Sequence, residues 1–493
     1  MHFRFPKTPT WKPSRLSARL VLAILVTALL TPLTSTAQQQ MFGRLFPELP
    51  HYDAPDDTTL NVLTAAAIGD GPGPLFDDGA PSGNNPDGVR AFFTYFGQFL
   101  DHDMTLDSLP LPADFVDPST IPNDRDQRLN LDSVYGNPKN PNPALYEADG
   151  THFRINDVKD VTGTTVALDL DLPRNPDGSA IIGDHRNDEN QIIAQIHVAY
   201  LRAHNKLIDQ GFKFAAARRL MEYRHQWLVV HEFLPEVLDP EVYADVFRTS
   251  RSHPHITQLQ QIHTRYYDPD NAAKAQMPVE FSVGAYRFGH SQVRAAYRLA
   301  SGGGFIQVFH PALADLRGGR PITLDRVIFW PNFLNVDGLP PAVNVSRKID
   351  TLLSSGLFNL PIPGAEADGT AILAKRNIQR AREYGLPSGQ AVAARLRLKV
   401  LTNEQIAAAL PRLAALRDDP AYKGEAPLWL YILAESEIVH AGAKLGPVGS
   451  RIVAEVIGGL LAADKNSYIR KGWVPEGESY RAEDLLREAG VLQ

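Results

Sequence analysis

The chain has 493 residues, 44% of them hydrophobic, and a net charge of −7 at neutral pH. It is long enough to bury a large core, and beyond its N-terminus it lacks the Lys- and Arg-rich blocks that nucleic-acid binding requires. Cysteine is absent, which excludes disulfides, thiol nucleophiles, cysteine-ligated zinc and iron–sulfur clusters, so any metal must be held by His, carboxylate or amide groups.

The N-terminus is typical of a secretory signal peptide. Basic residues precede the apolar run Leu20–Leu30, and the small residues after Pro32 predict cleavage after Ala37. A retained membrane anchor is the alternative, but this run is shorter than the roughly 20 residues that a span needs. We therefore expect residues 1–37 to be a signal peptide and the mature protein to be secreted or periplasmic, without a stable membrane span.

Loop signals dominate the first part of the chain and helix signals the rest. Residues 38–88 and about 108–180 are rich in Gly, Pro, Asn and Asp, whereas strand signals are limited to short pieces such as "TTVALDLDL" and "GFIQVF". Helical periodicity predicts helices over residues 188–210, 214–233, 276–299, 370–383, 389–399, 403–417, 426–440 and 447–463. We expect a mainly α fold with long loops and little β structure, in one large domain over 87–493 after a loop-rich extension over 38–86.

The first helix-like stretch, "VRAFFTYFGQFLDH", predicts a half-buried helix with unusual polar residues at its end. Gln98 and His102 are four apart and project from one face, whereas Asp103 points about 100° away. The triplet Asp101, His102, Asp103 therefore suggests two separate roles. The alternative is a polar last turn that only solvates the end of the helix.

A second motif, "GDHRNDEN", stands where the irregular zone meets the long helix. Arg186 and Glu189 are three apart and would share a face, while Asp184 or Asn187 can cap the helix. A capping cluster with a local ion pair would explain the same residues.

A third motif, "GAYRFGHSQVR", carries Arg287, His290 and Arg294 along one predicted helical stripe. The small residues Gly289 and Ser291 leave room beside the histidine for a flat group. A core histidine with satisfied hydrogen bonds is the alternative.

A fourth motif, "LAKRNIQRAREYGLPSG", puts Asn377 and Arg380 on one face just before a helix stop at Gly385–Pro387. An arginine-rich helix end is often merely solvated and stabilised by the helix dipole.

Other spacings imitate metal sites. The pairs Glu222/His225 and Glu437/His440 fit the Glu-x-x-His spacing of a di-iron bundle, but two further inward-facing glutamates cannot be placed. A third pair, His197 and His204, is seven apart and does not fit the zinc-binding His spacing. We favour packing roles for all of these residues.

The four motifs together resemble, in order and in residue identity, the animal-type haem peroxidases of the peroxidase–cyclooxygenase superfamily. The resemblance covers the chain from about Asp87 to about Tyr468. The short chain without disulfides resembles a bacterial member. The resemblance implies an exported peroxidase that reduces H₂O₂ through a ferryl haem and oxidises halide, thiocyanate or small phenolic donors.

The resemblance also implies roles for the residues around a haem b. His102 matches the distal histidine, with Arg186 and Gln98 beside it. His290 matches the proximal iron ligand, and Asn377 matches the residue that holds its other ring nitrogen.

At the haem edge, Arg287 and Arg380 match residues that pair with the propionates. Asp101 and Glu189 match carboxylates that family members join to haem methyl groups as esters. Some members also form a sulfonium link through a Met after that glutamate, which Asn190 excludes here.

A calcium ion beside the distal histidine is implied as well. Asp103 matches one ligand, and the loop "DQRLNLDSVYG" supplies Asp126, the backbone of Arg128, Asn130 and Asp132 as the others. Oxygen ligands at alternating positions suit Ca²⁺. An Asx-rich turn without an ion is the alternative.

Two other functions are weighed against a peroxidase. A fatty-acid dioxygenase of the same superfamily would carry a radical-forming Tyr three residues before the proximal histidine, where this chain has Arg287, and Tyr286 is one residue out of phase. A non-enzymatic exported metal-binding scaffold would explain the loops and the Asx-rich turns. It would not explain four residues together, namely Gln98, His102, Arg186 and His290.

Overall fold

The computed structural model describes residues 40–53, 57–65, 67–68, 71–72, 76–77, 88–109, 114–136, 141–249, 259–310, 314–362, 371–409 and 425–492. The expected signal peptide lies outside these residues. Those that are described belong to one compact unit, and no helix among them is both long and apolar enough to cross a bilayer.

Helices make up most of the regular structure. In chain order they are α1 Asp57–Thr64, α2 Ala91–Met104, α3 Asp132–Tyr135, α4 Gln191–Asp209, α5 Phe214–Leu228, α6 Leu234–Val237, α7 Pro240–Val246, α8 Gly289–Gln292, α9 Leu373–Glu383, α10 Gly389–Arg395, α11 Asn403–Ala408, α12 Leu428–His440, α13 Pro447–Ala463, α14 Tyr468–Lys471 and α15 Ala482–Glu488. The predicted mainly α fold is therefore confirmed.

The strands are short and form only two-stranded sheets within the described ranges. They are β1 Phe42–Gly43, β2 Ala67–Ile68, β3 Gly71–Pro72, β4 Phe76–Asp77, β5 Asn156–Lys159, β6 Thr165–Asp171, β7 Phe247–Thr249, β8 Leu259–Ile262, β9 Met277–Pro278, β10 Ala296–Arg298, β11 Phe305–Gln307 and β12 Leu353–Ser354. The pairs β1–β9 and β12–β4 are parallel, and β2–β3, β5–β6, β7–β8 and β10–β11 are antiparallel. Both strand segments predicted from the sequence are confirmed by β6 and β11.

Helix α2 lies at the centre of the molecule. Every one of its residues except Gln98 is buried, so the prediction of a half-buried helix was wrong. Aromatic side chains surround it from neighbouring helices: Phe99 stacks on Tyr200 of α4 at 4.7 Å between ring centroids, and Phe96 meets Phe233 at 5.7 Å. The polar end of α2 is thus inside the protein, where each polar group needs a partner.

A turn of π-helix, Val229–Phe233, extends α5 towards the site. Its last residue packs on α2, where a Cβ added to Gly97 would lie only 3.0 Å from the Phe233 ring. Single π turns inside helices are frequent at functional sites because they redirect one side chain. Here the extra residue directs an aromatic ring to the wall of the cavity described below.

Helices α12 and α13 contribute long buried stretches to the core. All residues from Leu428 to Ser436 and from Val448 to Leu461 are buried. Glu435 of α12 accepts a hydrogen bond from the backbone N–H of Val448 at 2.9 Å, at the start of α13. Both helices were predicted within two residues, because long apolar runs with Pro or Gly at their ends give a clear signal.

The predicted helix over residues 276–299 was wrong. This segment consists of β9, a π turn Glu280–Gly284, a 3₁₀ turn Ala285–Phe288, α8 and β10. A Cβ at Gly284 would lie 2.9 Å from the side chain of Leu428. The backbone therefore passes too close to α12 to leave room for the side chains of a regular helix. The predicted helix 188–210 begins instead at Gln191, because the Asn190 side chain caps it.

Candidate functional site

A cavity of about 830 Å³ lies between α2, a 3₁₀ turn His185–Asp188, the segment 282–293 and α9. It brings together the four sequence motifs. Nine of the predicted site residues line it, namely Gln98, Asp101, His102, Arg186, Glu189, Arg287, His290, Asn377 and Arg380. The predicted calcium-binding residues do not line it and form a separate cluster behind α2.

His102 stands on one wall of the cavity. Its side chain is buried, and its Nδ1 lies 2.9 Å from Oδ1 of Asn187. Burial and the charge of Arg186 lower the pKa of His102 to about 4. The ring is therefore neutral near pH 7, and its Nε2 has no partner among the described residues, which leaves it free to act as a base towards the cavity.

Arg186 is held by Asp184 and not, as the sequence suggested, by Glu189. Its Nη2 lies 2.7 Å from Asp184 Oδ2 and also donates to the carbonyl of Thr105 at 2.5 Å. The Asp184 side chain accepts from the Arg186 backbone N–H as the cap of the 3₁₀ turn. Asp184 therefore caps the 3₁₀ turn and fixes the guanidinium beside His102, whereas the long helix α4, which Asp184 or Asn187 was predicted to cap, is capped by Asn190.

Gln98 and Glu189 form a hydrogen-bonded pair on the same side of the cavity. Gln98 Nε2 donates to Glu189 at 3.1 Å, and Asn190 donates to Gln98 Oε1 at 3.2 Å. Glu189 is exposed to the cavity but lies deep in the protein, and burial raises its pKa to about 7. The second carboxylate, Asp101, accepts from Thr105 Oγ1 at 3.0 Å.

His290 lies on α8, and Nδ2 of Asn377 is 2.8 Å from its Nδ1. Burial and the charge of Arg287 lower the pKa of His290 to about 3, so the ring is neutral. Its Nε2 has no partner in the described part of the chain. Position 289 is glycine, and a Cβ there would meet nothing within 4 Å, so the space beside the histidine is open for a flat group.

Two arginines stand near His290. Arg287 donates from Nε to the carbonyl of Ser282 at 2.8 Å, and Arg380 lies 3.7 Å from Asp107. Burial lowers the pKa of Arg287, and the like charge of Arg380 lowers it further. The buried Nε of Arg380 has no hydrogen-bond partner in the described part of the chain. Two close cations with unused donors suit an anionic group such as a carboxylate.

The predicted calcium residues cluster around Asp103. Its carboxylate accepts from the backbone N–H groups of Leu131 at 3.0 Å and Ser133 at 3.3 Å. Burial raises the pKa of Asp103 to about 7, and burial together with the charge of Asp103 raises that of Asp132. Oδ1 of Asp132 and Oδ1 of Asn130 are buried, and neither has a hydrogen-bond partner within the described ranges.

Two arginines of this cluster pair with carboxylates that a metal ion would need as ligands. Asp126 pairs closely with Arg128 and accepts from Asn130 Nδ2 at 3.0 Å. Arg125 lies 3.7 Å from Asp132 and 2.9 Å from Asp184, so it connects this cluster with the cavity wall. Within the described ranges, no three His, Asp or Glu side chains are grouped closely enough to hold a metal by themselves.

The sequence pairs that imitate metal sites have protein partners instead. Glu222 binds Arg218 at 2.8 Å, and His225 meets the hydroxyl of Tyr200 at 2.8 Å. His440 pairs with Asp239 at 2.8 Å. These contacts support the packing roles that we favoured.

The connection of His197 and Asn187 to His102 was not predicted from the sequence. His197 meets Asn187 at 3.0 Å, and through it connects to His102. Asn187 was considered only as a helix cap. Since its contact with His102 spans 85 positions of the chain, no local pattern reveals it.

Comparison with known proteins matches most of this chain to one family. The profile of the family described as animal haem peroxidase matches residues 114–468. Peroxinectin A from Dictyostelium discoideum is 27% identical over 304 residues, which are 58% of this chain and 50% of that protein. The match begins after α2, so a domain start at residue 87 stays a prediction.

Solved structures with similar folds cover nearly the whole chain. Peroxidase A from Dictyostelium discoideum superposes with a TM-score of 0.62 at 20% identity, over 92% of this chain and 94% of that one. A fatty acid alpha-dioxygenase from Arabidopsis thaliana superposes with a TM-score of 0.57 at 14% identity, over 92% of this chain and 76% of that one. At such identities the likeness concerns the fold. The chain spans about half or less of the length of the known relatives first matched by sequence.

Proposed function

Because this chain belongs to the animal haem peroxidase family and carries a haem peroxidase domain, we propose that it reduces hydrogen peroxide and oxidises a halide, thiocyanate or small phenolic donor. The observation that carries the proposal is the cavity with His102 and His290 on its walls, each neutral and each with Nε2 free of described partners. One histidine serves as iron ligand and the other as base.

We propose that His290 binds the haem iron through Nε2. The imidazole then carries its proton on Nδ1 and donates it to the oxygen of the Asn377 amide. This requires the amide group to be rotated by 180° from the orientation described above, which exchanges its oxygen and nitrogen without changing its shape. Arg287 and Arg380 bind the propionates, which would relieve their mutual repulsion. When bound, the haem supplies the electron chemistry of peroxide reduction and donor oxidation.

On the opposite wall, His102 Nε2 takes the proton from peroxide and returns it to the departing oxygen. Arg186, fixed by Asp184, stabilises the charge that develops on that oxygen. Gln98 orients the peroxide and, through its hydrogen bond, Glu189. The burial of His102 favours this role because its neutral form dominates across the physiological pH range.

Two carboxylates are suited to ester bonds with the haem edge. Asp101 and Glu189 both line the cavity, and Asn190 donates to Gln98 where a sulfonium-forming Met would stand. Calcium is proposed at Asp103, Asn130, Asp132, Asp126 and the backbone oxygen of Arg128. The unpartnered oxygens of Asn130 and Asp132 support this, and Asp126 must leave its ion pair with Arg128 for the site to form.

A fatty-acid dioxygenase is less well supported. Arg287 occupies the position of the radical-forming Tyr, and its Nε is engaged by Ser282. Tyr286 lines the cavity, but its hydroxyl donates to the carbonyl of Gly97 at 3.3 Å, within the wall. Export from the cell is proposed from the N-terminal sequence alone.

The test is spectroscopy followed by a donor panel. Protein expressed with ample haem should be reddish brown with a Soret band, and should consume H₂O₂ with bromide, iodide, thiocyanate or a phenol. A colourless protein would contradict the proposal, and oxygenation of a fatty acid without added peroxide would favour the dioxygenase. A metal-binding scaffold would give neither activity.

A further inference from the structure

We propose that Asn187 is a positioning residue that fixes the tautomer of His102, and that buried His197 holds the Asn187 amide from its other side. The proposal rests on the peroxidase function proposed above. It concerns the side of His102 that faces away from the cavity.

The geometry is that of one amide between two imidazoles. Asn187 is fully buried on the 3₁₀ turn, with its Oδ1 2.9 Å from His102 Nδ1 on α2 and its Nδ2 3.0 Å from His197 Nδ1 on α4. The backbone N–H of Asn187 donates to the carbonyl of Asp184 at 3.0 Å, which holds the turn in place. Three separate elements therefore meet at this side chain.

Hydrogen-bond chemistry then dictates opposite tautomers for the two rings. A neutral imidazole has one N–H donor and one bare nitrogen acceptor, while the amide oxygen only accepts and the amide nitrogen only donates. With the Asn187 amide oriented as described, His102 carries its hydrogen on Nδ1 and His197 leaves Nδ1 bare. As a result His102 presents the lone pair of Nε2 to the cavity, which is the form that can take a proton from peroxide.

His197 has little other reason to be a histidine. It is fully buried, and its Nε2 has no hydrogen-bond partner among the residues that the structure describes. A buried polar group without a partner is destabilising, so an apolar ring would serve a purely packing role better. The edge-to-face contact with Phe99, at 6.0 Å between centroids, keeps the ring oriented towards Asn187.

The tautomers can be read directly by NMR. The full-length protein, labelled with ¹⁵N-histidine and held as the reduced carbon monoxide complex, is diamagnetic, and its two-bond ¹H–¹⁵N correlations distinguish the two tautomers. His102 and His197 are assigned by the loss of their signals in His102→Gln and His197→Phe. We expect Nδ1–H for His102 and Nε2–H for His197.

The variants Asn187→Leu and Asn187→Asp distinguish a positioning role of Asn187 from a merely structural one. The leucine variant removes the acceptor, and we expect His102 to change to the Nε2–H form while the reaction with H₂O₂ slows by about tenfold or more. The aspartate variant keeps an acceptor oxygen and should keep the Nδ1–H form. Tyr468→Phe is the matched control, since it removes a hydrogen bond of 2.8 Å to His231 outside the cavity.

An Nε2–H tautomer of His102 in the wild-type protein, or an unchanged tautomer in Asn187→Leu, would overturn the inference. If the leucine variant does not fold, the spectra of the wild-type protein and of the aspartate variant still show whether His102 carries its hydrogen on Nδ1. A chain that binds no haem would contradict the proposed function, yet the tautomers of His102 and His197 remain measurable in that sample.

Discussion

His102 and His290 line the same cavity, yet their removal should have different effects. His290→Ala deletes the proposed iron ligand, so we expect loss of haem or a changed Soret band. His102→Ala keeps this ligand and should keep haem, while the first reaction with H₂O₂ slows by about 10²–10⁴-fold, the usual contribution of general acid–base catalysis. Absorption spectra and stopped-flow mixing measure the two effects, and an unchanged rate in His102→Ala would remove this residue from catalysis.

Asp101 and Glu189 allow a chemical test of haem attachment. After turnover with peroxide, we expect acid–acetone to leave the haem on the protein, because an ester survives extraction and an iron–histidine bond does not. Asp101→Asn and Glu189→Gln should each remove one link, and the double variant should release all of the haem. Free extraction from the wild-type protein after turnover would show that neither carboxylate is esterified.

The residues of the cavity were predictable from the sequence because they lie in short motifs with fixed spacing. Gln98, His102 and Arg186 all line the cavity as expected. Their partners were not predictable in the same way. Asp184 holds Arg186 in place of Glu189, and Asn187 contacts His102 across 85 positions of the chain. Each buried polar group needs a partner, and the fold rather than the sequence spacing determines which residue that partner is.

At the scale of elements, helices with strong terminal signals were well predicted. Pro447 and Asp464 bracket α13 as the sequence indicates. The failure over 276–299 has a steric cause: Gly284 packs against Leu428 of α12 and interrupts the helix. Apolar periodicity cannot reveal such a contact, because it depends on a helix more than a hundred residues further along the chain.

The junction of α12 and α13 predicts how stability varies with pH. Burial raises the pKa of Glu435 to about 8, and its carboxyl group accepts from the N–H of Val448. The folded protein therefore keeps a proton that the unfolded chain releases above about pH 4.5, so its stability falls as pH rises towards 8, by about 1.4 kcal/mol per pH unit.

Glu435→Gln keeps an acceptor for Val448 and cannot ionise. Urea unfolding at several pH values between 5 and 8 should give a shallower loss of stability for this variant than for the wild-type protein, whatever its absolute stability. Ile438→Gln, on an exposed position of α12, is the control and should keep the wild-type slope. Parallel slopes for Glu435→Gln and the wild type would show that Glu435 is ionised in the folded state.

At the scale of the whole molecule, the cluster behind α2 connects the irregular zone to the cavity. Asp103 follows His102 directly and binds the loop through the N–H groups of Leu131 and Ser133, while Arg125 bridges from Asp132 to Asp184. Leu129 and Leu131 bury this loop in the apolar core, which also brings the carboxylates of Asp103 and Asp132 together away from water. A bound cation would therefore stabilise both the loop and the wall that carries His102 and Arg186.

Calcium removal tests this connection. Two fully buried carboxylates, Asp103 and Asp132, repel each other, and a cation between them would remove that repulsion. An ion at about 100 times its Kd adds about 2.7 kcal/mol of stability, so chelation with EGTA should lower Tm by about 3–6 °C, with recovery on adding Ca²⁺ but not Mg²⁺. Asp103→Asn should abolish the response to Ca²⁺. A Tm independent of chelator, together with no stoichiometric calcium by elemental analysis, would mean that the loop is held without an ion.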